Sequence, residues 1–424
     1  MKKKIIIILV VVIIVIIAIL AKVFIFYDKY EMPNGAEINI ANEIIDVYDE
    51  INVYDLIESS NVKIISDDME IDTSEIGEYT YTIEYKYKLK KYFYEINYSV
   101  VDTVAPVFIS APNSKTFYVS ESGEEDLTSK ITYADNYDIA PNLEIEGEVN
   151  FDEAGTYQIS YIITDQSENE TIKDTVIYII ERPAEVAEDE EETDEEETEE
   201  DDDDEEEENL NYIQYQIENY KTDNTMIGID VSKWQGDIDF EAVKNAGVEF
   251  VIIRMGVMQD KDAEMAIDSM FTENYENAKS AGLKVGAYIY SESTTVESAI
   301  SNAQFVIDTL NGGELDFPVC FDWESWTNFN DMGINLHRLN EMYDAFSETL
   351  EEAGYNAMLY ASEYYLNYTW LTLKDYDIWV AKYSENEPEI EGNNYILWQN
   401  SNTGKVDGID GDVDIDIYYI ETED

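Results

Sequence analysis

The chain has 424 residues, a length typical of two to four domains, and 95 acidic against 25 basic side chains give a formal net charge of −70. Such a balance excludes nucleic acid as a partner, because phosphate binding needs clustered Lys and Arg. A single cysteine, Cys320, excludes an intramolecular disulfide, and a single histidine, His337, excludes a zinc site with several histidine ligands. An enzyme of this composition must rely mainly on carboxylates, tyrosines and lysines.

The first predicted elements are a cytoplasmic stub at 1–4 and a transmembrane signal anchor at 5–26. The stub carries three lysines, and the span holds one charge, Lys22, which can snorkel. A cleaved signal peptide is the alternative, but the apolar run is long, and a cut after Ala21 would leave Ile19 where a small residue is needed. We therefore expect a single-pass protein of the cell membrane, with extracellular C-terminal domains on a Gram-positive type of surface.

Two consecutive segments, 36–103 and 104–182, resemble copies of one unit. The stretch "IGEYTYTIEYKY" (76–87) aligns with "AGTYQISYIITD" (154–165), and apolar and polar residues alternate in both, as in half-buried antiparallel strands. The second copy resembles the immunoglobulin-like modules of bacterial surface proteins, and the first is more diverged. We expect two all-β sandwiches that act as spacers, with binding of the cell wall or another ligand as the alternative.

The segment 183–224 is predicted to be a disordered linker. Every residue in 188–208 is Asp or Glu except Thr193 and Thr198, so this run repels itself and cannot bury apolar surface. Calcium binding is an alternative, although the run lacks the spaced ligands and the glycine of a calcium loop.

The remaining chain, 225–424, alternates predicted strands and helices, which indicates an α/β barrel of the TIM type with a simplified second half (βα5β3). The eight strand candidates are 227–232, 249–256, 284–291, 317–324, 356–362, 377–384, 395–401 and 413–419. Active sites of such barrels form at the carboxyl ends of the strands. The side chains predicted to converge there are Asp230, Arg254, Tyr288, Tyr290, Asp322, Glu324, Tyr360, Lys382, Tyr383, Gln399 and Asp414.

Asp322 and Glu324 are the strongest pair in this set, because residues two apart on a strand share a side. Two close carboxylates do not ionise together easily, so one pKa should rise and the other fall, which suits acid–base catalysis of glycoside hydrolysis. A Mg²⁺ or Ca²⁺ site is the alternative. Trp234, Trp323 and Trp326 lie in or beside the predicted mouth, where flat rings can stack on sugar faces.

An ordered set of motifs within 226–420 resembles the glycoside hydrolase family 25 lysozymes. The motifs are "GIDVSKWQGDIDFEAVKNAGVEFVIIRMG" (228–256), "KVGAYIYS" (284–291), "PVCFDWES" (318–325), "DIWVAKYS" (377–384), "YILWQNS" (395–401) and "GIDGDVDID" (408–416). The resemblance implies cleavage of the β-1,4 bond from N-acetylmuramic acid to N-acetylglucosamine in peptidoglycan, with no cofactor and no metal. Two positions depart from the common pattern: Ile289 stands where many members have His, and Asp416 where many have Asn.

The resemblance also implies the roles of four carboxyl groups. Glu324 is expected to be the general acid and base, and Asp322 to assist the 2-acetamido group of the substrate, while Asp230 and Asp414 shape the field and hold sugar hydroxyls. Peptidoglycan strands and the cytoplasmic membrane are the expected partners, and the oligomeric state is not predicted. The alternative function is a non-catalytic surface protein that binds glycan or acts as an adhesin.

Overall fold

The computed structural model describes residues 30–121, 123–182, 212–371, 373, 376–392 and 395–420. The predicted stub and membrane span lie outside these residues. Within them, no helix has the length and apolar character needed to cross a bilayer. This finding corrects the transmembrane part of the predicted fold and the membrane location that depended on it. The chain divides into two compact units, Met1–Val104 and Ala105–Asp424.

The first unit is a β module. Its strands are β1 (Ile38–Ile40), β2 (Ile44–Asp46), β3 (Ile57–Ser60), β4 (Lys63–Ile64), β5 (Gly77–Tyr87) and β6 (Lys90–Val101). The four-stranded sheet has the order β2-β6-β5-β4, and β1 pairs with β3 in a second, small sheet. Strands β5 and β6 form a long antiparallel hairpin, and alternate residues such as Ile83 and Tyr85 are fully buried, as the period of two predicts.

The second β module opens the second unit. Its strands are β7 (Val107–Ser110), β8 (Ser114–Tyr118), β9 (Thr132–Ala134), β10 (Asn142–Glu146), β11 (Gly155–Thr164) and β12 (Glu170–Ile180). The larger sheet runs β10-β11-β12-β8, and β7 pairs with β9. In both modules the last strand pairs in parallel with an early strand, β2 with β6 and β8 with β12. This shared pairing supports the internal repeat, and the finer immunoglobulin-like assignment stays a prediction.

Part of the predicted linker has regular structure. Residues Ile213–Tyr220 form helix α1, in which Ile213 and Gln216 are buried. Gln216 accepts a hydrogen bond of 2.7 Å from the side chain of Asn400, and Tyr220 packs edge-on against Trp398. The C-terminal domain therefore begins about a dozen residues earlier than the predicted 225. The acidic run lies outside the described residues.

The C-terminal domain contains the remaining elements. Its strands are β13 (Thr225–Val231), β14 (Phe250–Val257), β15 (Ala266–Ile267), β16 (Lys284–Tyr290), β17 (Val319–Asp322), β18 (Ala357–Ser362), β19 (Ile378–Ala381), β20 (Leu397–Gly404) and β21 (Val413–Tyr419). Its helices are α2 (Phe240–Asn245), α3 (Phe271–Ala281), α4 (Val296–Leu310), α5 (Phe329–Met332), α6 (Leu336–Glu352) and α7 (Glu363–Tyr368).

The sheet of this domain closes on itself as a mixed barrel. Its order is β13-β21-β20-β19-β18-β17-β16-β14, and β13 also pairs with β14, which completes the ring. Strand β21 runs antiparallel to both neighbours, β13 and β20. The prediction of a TIM-type α/β barrel is therefore wrong. The short connection from β20 to β21 has no room for the crossover helix that a parallel strand needs, so the chain turns back.

Side chains alternate between the interior of the barrel and the layer under the helices. Phe250, Ile252, Met358 and Trp379 belong to the interior cluster, whereas Val251 belongs to the outer one. The interior is tightly filled, since a Cβ at Gly228 would come within 2.3 Å of the Phe250 ring. Towards the carboxyl ends of the parallel strands, which form the mouth of the barrel, the interior positions become polar.

Candidate active site at the mouth of the barrel

One set of alternate positions carries the polar side chains into the mouth. On β13 and β14, Asp230 and Arg254 continue the series that starts with Gly228 and Phe250, and on β17 Asp322 follows Cys320. Because β21 is antiparallel, its beginning lies at the same end as the carboxyl ends of the other strands, and Asp414 is the register partner of Asp230. The reversed strand thus explains how a residue near the start of a strand joins the site.

Asp322 and Glu324 form the centre of the site. Strand β17 ends at Asp322, and Glu324 (φ −126°, ψ 17°) begins the following 3-10 turn, Ser325–Asn328. Asp322 is buried and Glu324 remains accessible to solvent. Burial raises the pKa of both carboxyl groups, the charge of Glu324 raises that of Asp322 further, and Arg254 opposes that rise. The hydrogen bond between the two side chains raises the pKa of Asp322 and lowers that of Glu324, but the larger effect of burial leaves both pKa values raised, so the predicted net fall of one pKa is not seen.

The buried Asp322 keeps one oxygen free. Its Oδ1 atom is out of contact with solvent and has no hydrogen-bond partner in the described part of the chain. A buried acceptor without a donor is costly, and a ligand that brings an N–H or O–H group to it relieves this cost. The mouth thus contains an acceptor suited to an incoming donor.

Asp230 is held by Gln399. The amide of Gln399 donates a hydrogen bond of 2.8 Å to Asp230, and its oxygen accepts hydrogen bonds from the hydroxyl groups of Tyr360 (2.8 Å) and Tyr383 (3.0 Å). Burial raises the pKa of Asp230, and the nearby charges of Asp414 and Asp416 raise it further. Gln399 therefore connects one acidic residue to two tyrosines that face the mouth.

Asp414 and Asp416 bring two more carboxyl groups to this end. Burial, and next the charge of Glu324, raise the pKa of Asp414 to about 7. Asp416 is fully buried, and burial raises its pKa well above the usual value, whereas the indole N–H of Trp379, 2.9 Å away, opposes the rise. Burial thus raises the pKa of both carboxyl groups, and the acidic residues of the mouth act on one another's ionisation.

Arg254 is the cation of this region. It donates a hydrogen bond of 2.8 Å from Nε to Asp268, and both side chains are buried. Asp268 also accepts hydrogen bonds from the backbone N–H groups of Lys233 (3.3 Å) and Met270 (3.0 Å). The sequence analysis missed Asp268, because it follows the two-residue strand β15 and no periodic pattern marks it. Arg254 is thus pre-oriented while its charge still acts on Asp322.

Tyr288 and Tyr290 lie on the same interior face. Burial raises the pKa of both phenols, that of Tyr290 to about 12, and the charges of nearby carboxylates add to the rise. Both remain neutral at physiological pH and act as hydrogen-bond donors or acceptors. Ile289, one of the two departures, is fully buried on the opposite side of β16.

Three predicted contact residues are placed away from an open surface. Trp323 is fully buried and donates its indole N–H to the carbonyl oxygen of Ser293, and Trp326 is 3 % exposed and stacks on Tyr365 with 4.3 Å between centroids. Lys382 forms an ion pair of 2.9 Å with Glu363 on α7. These positions correct the expectation that the three side chains face the mouth.

Trp234 and Tyr383 are accessible aromatic residues that follow barrel strands. Trp234, in the 3-10 turn that follows β13, is 75 % exposed, and Lys233 lies 4.9 Å from the centre of its ring. Tyr383 is about half exposed. Both follow the carboxyl ends of barrel strands, so they are placed to present ring faces to a ligand.

Comparisons with known proteins give matches to the barrel domain. The family model described as glycosyl hydrolases family 25 matches residues 229–409. The autolytic lysozyme of Clostridium acetobutylicum is 31% identical over 192 residues, which cover 45% of this chain and 55% of that protein. Lysozyme M1 of Streptomyces globisporus is 27% identical over 203 residues, or 44% of this chain and 65% of that protein. The chain thus spans little more than half of the length of the first of these relatives.

Two solved structures are among those to which the chain is similar. A bacterial lysozyme from Streptomyces coelicolor is 26% identical, with a TM-score of 0.39 over 46% of this chain and 93% of that one. A family 25 glycosyl hydrolase from Bacillus anthracis is 23% identical, with a TM-score of 0.41 over 48% of this chain and 93% of that one. The family model and the two sequence relatives support the barrel as a glycoside hydrolase domain of the lysozyme type.

Proposed function

Because residues 229–409 match the family 25 glycosyl hydrolases, we propose that this chain is a muramidase. Its reaction is hydrolysis of the β-1,4 bond between N-acetylmuramic acid and N-acetylglucosamine in peptidoglycan. The observation that carries the proposal is the Asp322–Glu324 pair at the mouth of the matched barrel, in which burial raises both pKa values. The names of the two lysozyme relatives support the same reaction.

Glu324 supplies the proton. A carboxylic acid that is to donate near neutral pH needs a raised pKa, and burial provides it here. The Asp322–Glu324 pair holds one proton between its two members. It delivers this proton through the accessible Glu324 to the glycosidic oxygen, and the negative charge stays on Asp322, next to Arg254.

Asp322 acts on the substrate's acetamido group. The carbonyl oxygen of that group attacks the anomeric carbon as the bond to the leaving sugar breaks, and an oxazolinium ion forms. Asp322 accepts the amide N–H through the oxygen that has no other partner among the described residues. Glu324, now ionised, takes a proton from water, which opens the oxazolinium ring and gives N-acetylmuramic acid. This route retains the anomeric configuration, whereas direct attack by water would invert it.

The remaining side chains of the mouth bind the glycan. Asp230 and Asp414 accept sugar hydroxyls and add negative field where positive charge develops. Two accessible rings, Trp234 and Tyr383, offer flat surfaces to sugar faces. Tyr288, Tyr290, Tyr360 and Gln399 offer hydrogen-bonding groups.

The test is an end-group assay with the full-length protein. Purified peptidoglycan is digested, and the new reducing ends are reduced with borohydride and identified. N-acetylmuramic acid at the new end supports the proposal, and N-acetylglucosamine overturns it. Absence of cleavage favours the glycan-binding alternative.

A variant and its control test whether Glu324 is the proton donor. Glu324→Gln removes the proton and should lower kcat by about 10³-fold or more, with the melting temperature little changed. Glu276→Gln makes the same change on the exposed face of α3 and should keep full activity. Near-normal turnover by Glu324→Gln would refute the assignment.

A further inference from the structure

The second β module is packed against the chain that follows the proposed proton donor. Ile109 on β7 and Ala134 on β9 are 3 % and 1 % exposed, and they belong to the same apolar cluster as Trp326, Phe329 and Met332. The small β7–β9 sheet therefore contributes to the core that supports residues 325–332.

Polar contacts fix the register of this packing. Asn330 accepts a hydrogen bond from the backbone N–H of Tyr133 (3.3 Å) and donates one to the carbonyl oxygen of the same residue (3.1 Å). Asn335 donates to the carbonyl oxygen of Tyr137 (2.6 Å), and the hydroxyl of Tyr364 donates to that of Phe108 (2.9 Å). Each contact uses a backbone group of the module, so the module and the barrel meet at defined positions.

The module also completes the start of helix α6. The first backbone N–H groups of a helix have no acceptor within the helix. Here the N–H of Leu336 donates to the carbonyl oxygen of Asp135 (2.8 Å), and that of His337 to the carbonyl oxygen of Asn136 (3.4 Å). The Asp135 side chain accepts from the N–H groups of Tyr137 (2.8 Å) and Asp138 (2.7 Å), which holds this loop in shape.

A short packed path leads from this contact to Glu324. The N–H of Trp326 donates to the carbonyl oxygen of Glu324 at 2.7 Å. The Trp326 ring lies against Trp323, with 4.8 Å between centroids, and stacks on Tyr365. Glu324 is thus the one accessible residue between two buried tryptophans, and its backbone position depends on what covers Trp326.

From these contacts we infer that the module of residues 105–182 positions the proton donor. It is then a working part of the catalytic unit and more than a spacer. The inference rests on the proposed muramidase function. Proton transfer to a bound oxygen depends steeply on distance, and a displacement of about 1 Å can cost on the order of 100-fold in rate. A loosened contact should therefore lower kcat. KM should stay nearly constant, because the groups that bind the sugar are unchanged.

A double variant of the full-length protein loosens the contact without deleting either partner. Asn330→Ala removes both hydrogen bonds to Tyr133. Asn335→Asp removes the donor to Tyr137 but keeps the side-chain oxygen that accepts from the N–H of Arg338 and caps α6. We expect kcat to fall roughly 10- to 100-fold, with less than about a threefold change in KM, and hydrogen exchange of 325–336 to accelerate.

Asn367→Ala is the matched control. Asn367 makes the same kind of paired contact within the barrel domain: it donates to the carbonyl oxygen of Glu389 (2.8 Å) and accepts from the N–H of Glu391 (2.9 Å). It should leave kcat and the exchange of 325–336 unchanged. Unaltered protection of β11 and β12 in the double variant shows that the module itself remains folded.

The two hypotheses fail in different ways. If the parent protein does not cleave peptidoglycan, the proposed function fails, and hydrogen exchange still reports the contact. If the double variant keeps the parent's kcat and the parent's exchange rates at 325–336, the inference is overturned. An equal loss of kcat in Asn367→Ala would also overturn it, because the effect would then not depend on the module.

Discussion

Trp379 donates its indole N–H to Asp416 across 2.9 Å inside the barrel, and both side chains are buried. The bond gives the carboxylate one donor, yet burial still raises the pKa of Asp416 well above 3.8, and the charge of Asp414 adds to the rise. A carboxyl group whose pKa is raised by folding favours the folded state most below its unfolded pKa. That contribution is lost as the pH rises through the folded pKa.

Asp416→Asn should therefore stabilise the protein at alkaline pH. The amide oxygen still accepts from Trp379, and no proton has to be lost. We expect a gain of roughly 1–3 kcal/mol at pH 8 and almost none at pH 4, measured by urea unfolding at both values. Asp237→Asn, on the exposed surface, is the control. A gain of equal size at both pH values would contradict the explanation.

Asp414→Asn should shift the pH profile of activity. Asp414 has a pKa of about 7, and its charge and that of Glu324 act on each other. The negative charge of ionised Asp414 favours the protonated form of Glu324. Removal of that charge should therefore lower the pKa of Glu324. The alkaline limb of kcat/KM should move by about one pH unit towards acid. A shift towards alkaline pH would show that another group controls this limb.

Gln399→Leu should lower kcat/KM and reduce stability only moderately. The change removes the donor to Asp230 and the acceptor of the Tyr360 and Tyr383 hydroxyl groups, and it should cost about 1–3 kcal/mol of stability. Loss of these contacts should lower kcat/KM by roughly tenfold or more. Gln304→Leu, on the exposed face of α4, should change neither quantity appreciably.

Replacing an exposed tryptophan and a buried one should affect different properties, glycan binding and stability. Trp234→Ala should raise KM by roughly three- to tenfold with less than about 0.5 kcal/mol change in stability, because the ring is exposed. Trp326→Ala should cost about 3–5 kcal/mol, because it leaves a cavity among Trp323, Phe329 and Tyr365. Glycan-binding measurements and thermal unfolding of both variants separate the two effects.

The strands of the barrel could be located from the sequence, but their alternation does not give the direction of the last one. Alternation along 413–419 identifies which side chains face the interior, and it carries no information about which neighbour a strand joins or in which direction. Direction depends on the length of the connection. The gap between β20 and β21 was already too short for a helix, so the signal for an antiparallel return was present in the sequence.

The same alternation explains two of the misplaced contact residues. Trp323 lies one position after Asp322 and must face the opposite side, and Lys382 likewise lies one position after Ala381, at the end of β19. Their assignment to the mouth relied on their place at a strand end and neglected the side on which they lie. Asp268 could not have been found in this way, because its contact with Arg254 comes from a loop.

The contact between the second β module and the barrel also determines where the chain leaves the module and where it enters the barrel domain. Ile180 at the end of β12 and Ile213 at the start of α1 belong to one compact unit. The separation between Ile180 and Ile213 is therefore set by the packed surfaces of this unit. A change in the number of residues between these two positions should therefore leave the placement of the module on the barrel unchanged.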